Sequence, residues 1–228
     1  MPRLGLGASL TGGASPESFV NSYSVEFDGS GDLVSGIGNG PTGNFTFSAW
    51  VKMTATNAQW NTVYSAGGSQ IFIGLHSGYN QVGVHVGGQS IIQSSADVFP
   101  TDEWHHLVVT WDGSDVKNRV DTTVIQTQAL SGVTITSAAA NFGKNPVGTG
   151  YLTGIIDEAS IWSVALSDAA IAAIYNGGTP LDVTANYSDN LVGYWRFEEG
   201  TGTSAADSSG NGNDGTVTNA TWSTDVPG

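Results

Sequence analysis

The nine residues Phe45-Thr-Phe-Ser-Ala-Trp-Val-Lys-Met53 constrain the fold more than any other stretch. Their period of two puts Phe45, Phe47, Ala49, Val51 and Met53 on one face and Thr46, Ser48, Trp50 and Lys52 on the other, the pattern of a strand laid on a core. Similar runs recur at residues 23–27, 59–65, 70–76, 81–86, 104–111, 116–124, 151–162, 191–197 and 216–222. Between several of them lie turn sequences such as Asp28-Gly-Ser-Gly-Asp32, Pro41-Thr-Gly-Asn44 and Asp112-Gly113. With 32 glycines in 228 residues, this spacing predicts an all-β domain of short strands, a sandwich or barrel. A single good helix is expected at Asp168–Tyr175, capped by Ser167 and followed by Gly177. Its Ile171, Ile174 and Tyr175 form one apolar stripe that docks on a sheet.

Charge narrows the partners. The net charge is −14 with only 6 Lys and Arg, which excludes the basic face that nucleic acids need and opposes binding to anionic membrane surfaces. Cations and neutral glycans remain compatible with it. Without cysteine there are no disulfides and no thiol redox chemistry. No run approaches the roughly 20 apolar residues of a membrane-spanning helix. Residues 1–20 read as a flexible arm or an anchor that orders on a partner, and their apolar patch is too broken by glycine for a signal peptide. Residues 21–226 read as one domain, closed by a block at 190–224.

That closing block has two short strand-like runs around a loop rich in Gly, Ser, Asn and Asp. From Asp207 to Asp214 the loop offers oxygen ligands at alternate positions, chemistry that suits Ca²⁺. Asx turns without an ion account for the same residues equally well. In residues 104–111 the adjacent His105 and His106 point to opposite faces of a strand and cannot chelate one metal together. His106 is expected on the inward side as a buried, hydrogen-bonded histidine.

Several local signatures occur in order: Phe27-Asp-Gly-Ser-Gly-Asp, Phe45-Thr-Phe-Ser-Ala-Trp-Val, Glu103-Trp-His-His-Leu-Val-Val-Thr-Trp-Asp-Gly, Ile156-Asp-Glu-Ala-Ser-Ile-Trp with Ala165-Leu-Ser, and the block at 191–214. Together they resemble the concanavalin A-like, laminin G-like jelly-roll family over about residues 22–224. The resemblance implies two antiparallel sheets packed face to face, one short helix and often a structural Ca²⁺. In many relatives the Tyr-Trp…Asp-Ser-Ser-Gly-Asn-Gly-Asn block opens the domain; here it closes the chain, as in a circular permutation. Relatives also carry Asp-Gly after the strand that follows Trp-Asp-Gly, where this chain has Asp121-Thr122. The order of motifs, the arm and the ending Ser-Thr-Asp-Val-Pro-Gly further resemble virion proteins of tailed phages, marine ones among them.

These readings give candidate sites. For Ca²⁺ the first choice is Asp157, a carboxylate on a mostly apolar strand, with Asp28, Asp32, Asp207, Asn211 and Asn213 as co-ligands brought by loops. For glycans, Trp60, Tyr79 and Tyr151 are candidate stacking residues, with core or rim packing as the alternative. Glycoside hydrolysis needs two carboxylates about 5–10 Å apart across a cleft. The neighbouring acids Asp157-Glu158 and Glu198-Glu199 face opposite ways along a strand, and no Ser/His/Asp set is signalled, so the chain reads as a non-enzyme. Two functions follow. One is a phage structural protein on the virion surface (capsid decoration, fibre or tail-associated domain), with other virion proteins as partners through residues 1–18, a homo-oligomeric state and contacts to host glycans. The other is a Ca²⁺-dependent carbohydrate-binding module or adhesion domain, secreted or on a cell surface.

Overall fold

Most of the alternating runs become single strands in the computed structural model, which describes residues 19–54, 60–67, 70–89, 92–145 and 150–228. Residues 1–18, the bulk of the expected arm, lie outside the described residues. In chain order the strands are β1 Ser24–Asp28, β2 Leu33–Asn39, β3 Phe45–Met53, β4 Trp60–Ala66, β5 Ile71–His76 and β6 Gln81–Val86. Next come β7 Ile92–Gln93, β8 Trp104–Trp111, β9 Asp115–Val120, β10 Thr123–Ala129, β11 Ala139–Phe142 and β12 Thr153–Trp162. After helix α1, Asp168–Tyr175, follow β13 Leu191–Trp195, β14 Ser204–Ala205, β15 Gly215–Thr218 and β16 Thr221–Ser223.

They form two antiparallel sheets, the sandwich of a concanavalin A-like jelly roll. The first runs β10-β9-β8-β3-β12-β1-β16 and the second β14-β15-β2-β11-β4-β5-β6-β7. On one side β12 pairs with β3 along most of its length; on the other, residues 153–156 pair with β1 and residues 159–162 with β13. Between the sheets lie Phe45, Phe47, Val51 and Met53 of β3, Leu107 and Val109 of β8, and Ile71, Ile73 and Leu75 of β5, all buried as the alternation requires. Each such side chain contributes about 1.5–3 kcal/mol on leaving water.

The opposite face of β3 is also covered. Thr46, Ser48 and Trp50 are buried because α1 and the segments around it pack over the first sheet. Trp50 stacks on Tyr175 at 5.7 Å between ring centroids, and the Thr46 hydroxyl donates to the Val164 carbonyl while accepting from the Leu166 amide. Trp162, Ile174, Val183, Leu191 and Tyr194 form a second, smaller apolar cluster there. Ser167 accepts from the Ala170 amide as the expected cap, but Asn176, left-handed at φ 49°, ends the helix one residue before Gly177.

Three local expectations are corrected. Residues 116–124 are not one strand: the chain turns back at Asp121-Thr122, so they divide between β9 and β10. Residues 216–222 are not one strand: Asn219, at φ 60°, breaks the run, so β15 joins β2 in the second sheet while β16 joins β1 in the first. His106 is buried, but beneath α1 and not between the sheets, since its neighbours Leu107 and Val109 take the core side of β8. The Asp121-Thr122 departure does not disturb its hairpin. Asp121 adopts φ 56° and its carboxylate accepts from the His106 amide, doing what glycine does in such a turn.

The closing block therefore supplies edge strands to both sheets and ties the chain's two ends together. Removing residues 190–228 is expected to give an aggregating protein, because it bares β1, β2 and half of β12. Gel filtration and thermal melting check this; a soluble truncation with a cooperative melt contradicts it.

Candidate functional site

With α1 over the first sheet, the outer face of the second sheet is where aromatic groups collect. Strand β5 turns Ile71, Ile73 and Leu75 inward, so Phe72, Gly74 and His76 face outward. Register pairs His76 with Trp60 of β4, and Phe72 with His85 of β6. The Trp60 and His76 rings meet edge to face at 5.0 Å, His76 lies 4.8 Å from Tyr79, and Phe72 meets Trp60 at 6.0 Å. Tyr79, in the β5–β6 turn, is 60% exposed. Gly74 faces Gly83 across the sheet, and a Cβ on Gly74 would come within 2.3 Å of the Phe72 ring, so the small residue lets that ring lie down on the strand.

Tyr151 adjoins this ledge. A Cβ on the preceding Gly150 would sit 3.1 Å from the Trp60 carbonyl and 3.3 Å from the Thr62 hydroxyl. Lys144 stands 5.6 Å over the Tyr151 ring, a cation–π contact at the rim. Three buried polar atoms on the same face, Thr62 Oγ1, His76 Nδ1 and His85 Nε2, have no hydrogen-bond partner among the described residues. The structure thus joins Trp60 and Tyr79 through His76 and sets Tyr151 alongside. Phe72, Thr62 and Lys144 escaped the sequence reading. The alternation of β5 marks Phe72 as outward only once the inward set is known.

The Ca²⁺ candidates do not share one place. Asp28 and Asp32 hold the β1–β2 turn: the Asp28 amide donates to Asp32 Oδ2 at 2.7 Å, and the Ser30 amide donates to Asp28 Oδ1. Asp207 accepts from the amides of Tyr194, Ser209 and Asn213, which together hold its carboxyl below the usual range although burial opposes them. Asn211 and Asn213 aim their NH₂ groups at the Leu191 and Val192 carbonyls of β13. Asp157 stands apart, mid-strand in β12. Among the described residues no three His, Asp or Glu side chains gather to hold a metal ion. The donor set does not fit one cation. The loop at 207–213 is a clasp of Asx turns over the free side of β13.

A family model described as the concanavalin A-like lectin/glucanases superfamily, Laminin_G_3, matches residues 27–172. The chain belongs to this family. The matched segment holds the aromatic ledge and α1's first half, and the closing block lies beyond it. Adhesion G-protein coupled receptor V1 of Danio rerio is 22% identical over 169 residues, 68% of this chain and 3% of the receptor. Among solved structures, this laminin G-like chain is similar to a putative carbohydrate binding protein from Bacteroides ovatus (TM-score 0.71, 17% identity, 92% of this chain and 62% of that one). It is also similar to a heptameric SAP-like pentraxin from Limulus polyphemus (TM-score 0.58, 14% identity, 68% and 82% covered). A third is domain 4 of AbnA, an extracellular arabinanase from Geobacillus stearothermophilus, in complex with arabinotriose (TM-score 0.51, 18% identity, 66% and 75% covered). Among the described residues no helix is long and apolar enough to cross a membrane.

The domain's acidic pair lies at the point where β12 passes from β1 to β13. A bulge there holds Glu158 at φ 48°, with Asp157 fully buried and Glu158 5% exposed. Asp157 Oδ1 accepts from the Glu158 amide, Glu158 Oε2 accepts from the Tyr194 hydroxyl, and Arg196 Nε stands 3.5 Å from Glu158 Oε1. Among the described residues Asp157 Oδ2 has no hydrogen-bond partner, while the Asn21 side chain lies near enough to favour the charged carboxylate. Burial pushes both carboxyls well above their ordinary values, with their mutual repulsion raising Glu158 further. Beneath α1, burial pulls His106 down to about 4, so it is a neutral ring bonded to Ser48 Oγ at 2.6 Å.

Stability should report these groups. The acid pair's folded pKa values are raised, so its contribution is complete below about pH 4 and is lost as pH climbs through the raised values. His106 acts oppositely, its depressed pKa removing stability as pH falls from about 6.5 toward 4. The double variant Asp157→Asn/Glu158→Gln keeps His106, so that effect is common to both proteins. From about pH 4 upward the melting temperature of the wild type should therefore fall relative to that of the double variant as pH rises; parallel slopes contradict the assignment. Separately, Asp207→Ala should cost roughly 2–3 kcal/mol by orphaning three amides, and a chelator should leave the wild-type melting temperature unchanged. Calorimetry reads both.

Proposed function

We propose that this chain is a non-catalytic glycan-binding module whose ligand lies along the Trp60–His76–Tyr79 ledge of the second sheet. The carrying observation is the row of near-contacting rings on one face, ending in a Tyr79 that is 60% exposed. Aromatic faces take the C–H faces of sugar rings, and the Tyr79 hydroxyl can answer a sugar hydroxyl, which is how mostly apolar sites gain orientation. The net charge of −14 favours neutral glycans over acidic ones. Two of the similar structures, named for carbohydrate binding and for bound arabinotriose, support the reading. So does the position of Asp157 and Glu158, shut inside β12 and away from any cleft where they could attack a glycosidic bond.

The test is a glycan array followed by titration calorimetry of the best neutral binder. Trp60→Ala and Tyr79→Ala should each weaken binding by about 0.5–1.5 kcal/mol, roughly twofold to twelvefold in Kd, with the fold intact. An array without binders, or alanine variants of full affinity, contradicts the site.

For the setting, the motif order and the arm sequence support a phage virion surface, with residues 1–18 as the attachment to other virion proteins. Deleting residues 1–18 should abolish incorporation into particles and leave the melting temperature of the domain unchanged. A truncated chain found in purified particles at normal copy number contradicts that role.

A further inference from the structure

The two sheets end in unequal edges. In the second sheet the outermost strands, β14 and β7, are two residues each. In the first sheet β16 is three residues, and the free side of β13 is clasped by the 207–213 loop. These are the ways in which proteins blunt an edge that would otherwise template another strand. Strand β10 is different. It is seven residues long, Thr-Val-Ile-Gln-Thr-Gln-Ala, without proline, lysine or any charge. After a bulge at Val124–Gln126, residues 126–129 run in unbroken register against β9. Val124 is 45% exposed, one of four exposed large apolar side chains among the described residues. Two of the others, Val20 and Tyr23, lie in the segment entering β1, and Tyr79 belongs to the aromatic ledge.

We propose that β10 is the edge through which two copies of this chain pair, antiparallel about a two-fold axis, so that their first sheets become one continuous sheet. Charge selects the occupant. Each copy carries −14, so two copies repel over most of their surfaces, but residues 122–143 contain no charged side chain and β10 lies in that stretch. An uncharged edge offers a basic or acidic foreign strand nothing to read, whereas it meets its own copy without like-charge opposition. The pairing is isologous, the same residues serving both partners. Beside the edge, a cleft of about 420 Å³ lined by Gln89, Gln93, Gln126 and Gln128 lies next to β7. Its amides can both donate and accept, so the second copy's Gln126 and Gln128 meet partners of their own kind.

Sedimentation equilibrium and light scattering on the full chain test this across protein concentration and salt. The expected mass is twice the 23.5 kDa of the chain, with the dimer strengthened by added salt, which screens the repulsion between the copies. Val124→Glu combined with Gln128→Glu places carboxylates along the edge and should return the protein to a monomer; both positions are exposed, so its melting should stay cooperative. Hydrogen exchange on the wild type gives a readout independent of the variant: the amides of residues 126–129 should gain protection as concentration rises. A monomer at every concentration and salt overturns the proposal. So does a dimer that the double variant leaves intact, or one whose β10 amides exchange as they do at high dilution.

Discussion

The double pairing of β12 is the constraint on which the rest of the structure depends. Ten residues long, it meets β3 on one side and hands over from β1 to β13 on the other. The N-terminal strand, the central strand and the closing block are thus all bonded to one element. The handover has a cost: at the bulge the backbone turns through Glu158 in a left-handed conformation, and two carboxyls are shut away from water. Arg196, the Tyr194 hydroxyl and Asn21 answer part of that burial. All three come from the segments that β12 joins.

The second consequence is asymmetry between the faces. Helix α1 and its flanking segments close the outer face of the first sheet, so Trp50 and His106 are buried against each other and the Tyr175 ring. Nothing comparable among the described residues covers Trp60, His76 and Tyr79. Position in the fold, and not residue type, separates a packing tryptophan from a candidate binding one. Trp50 and Trp60 are alike in sequence terms, each alternating within a strand.

Much of the fold was legible because period-two alternation is a strong signal: β3, β6 and α1 lie where the residues place them. What the chain did not disclose is which sheet a strand joins. Residues 216–222 look continuous, yet Asn219 sends β15 and β16 to opposite layers. The Asp207–Asn213 loop shows the limit at a site. Alternating oxygen groups fit both an ion and a set of Asx turns, and only the destinations of the Asn211 and Asn213 amides separate the two. Trp60, Tyr79 and Tyr151 were legible as aromatics near turns. Their connection through His76 and Gly150 depends on strand register, which no local pattern encodes.

The central claim, that the second sheet's outer face binds a neutral glycan, is tested most directly by NMR titration of isotope-labelled protein with a neutral oligosaccharide. The account predicts shifts concentrated at the Trp60 indole N–H, the His76 and His85 rings and the Tyr79 and Tyr151 ring protons, with Trp50 and His106 under α1 unmoved. Shifts that map to the glutamine-lined cleft beside β10, or to the surface of α1, would contradict it.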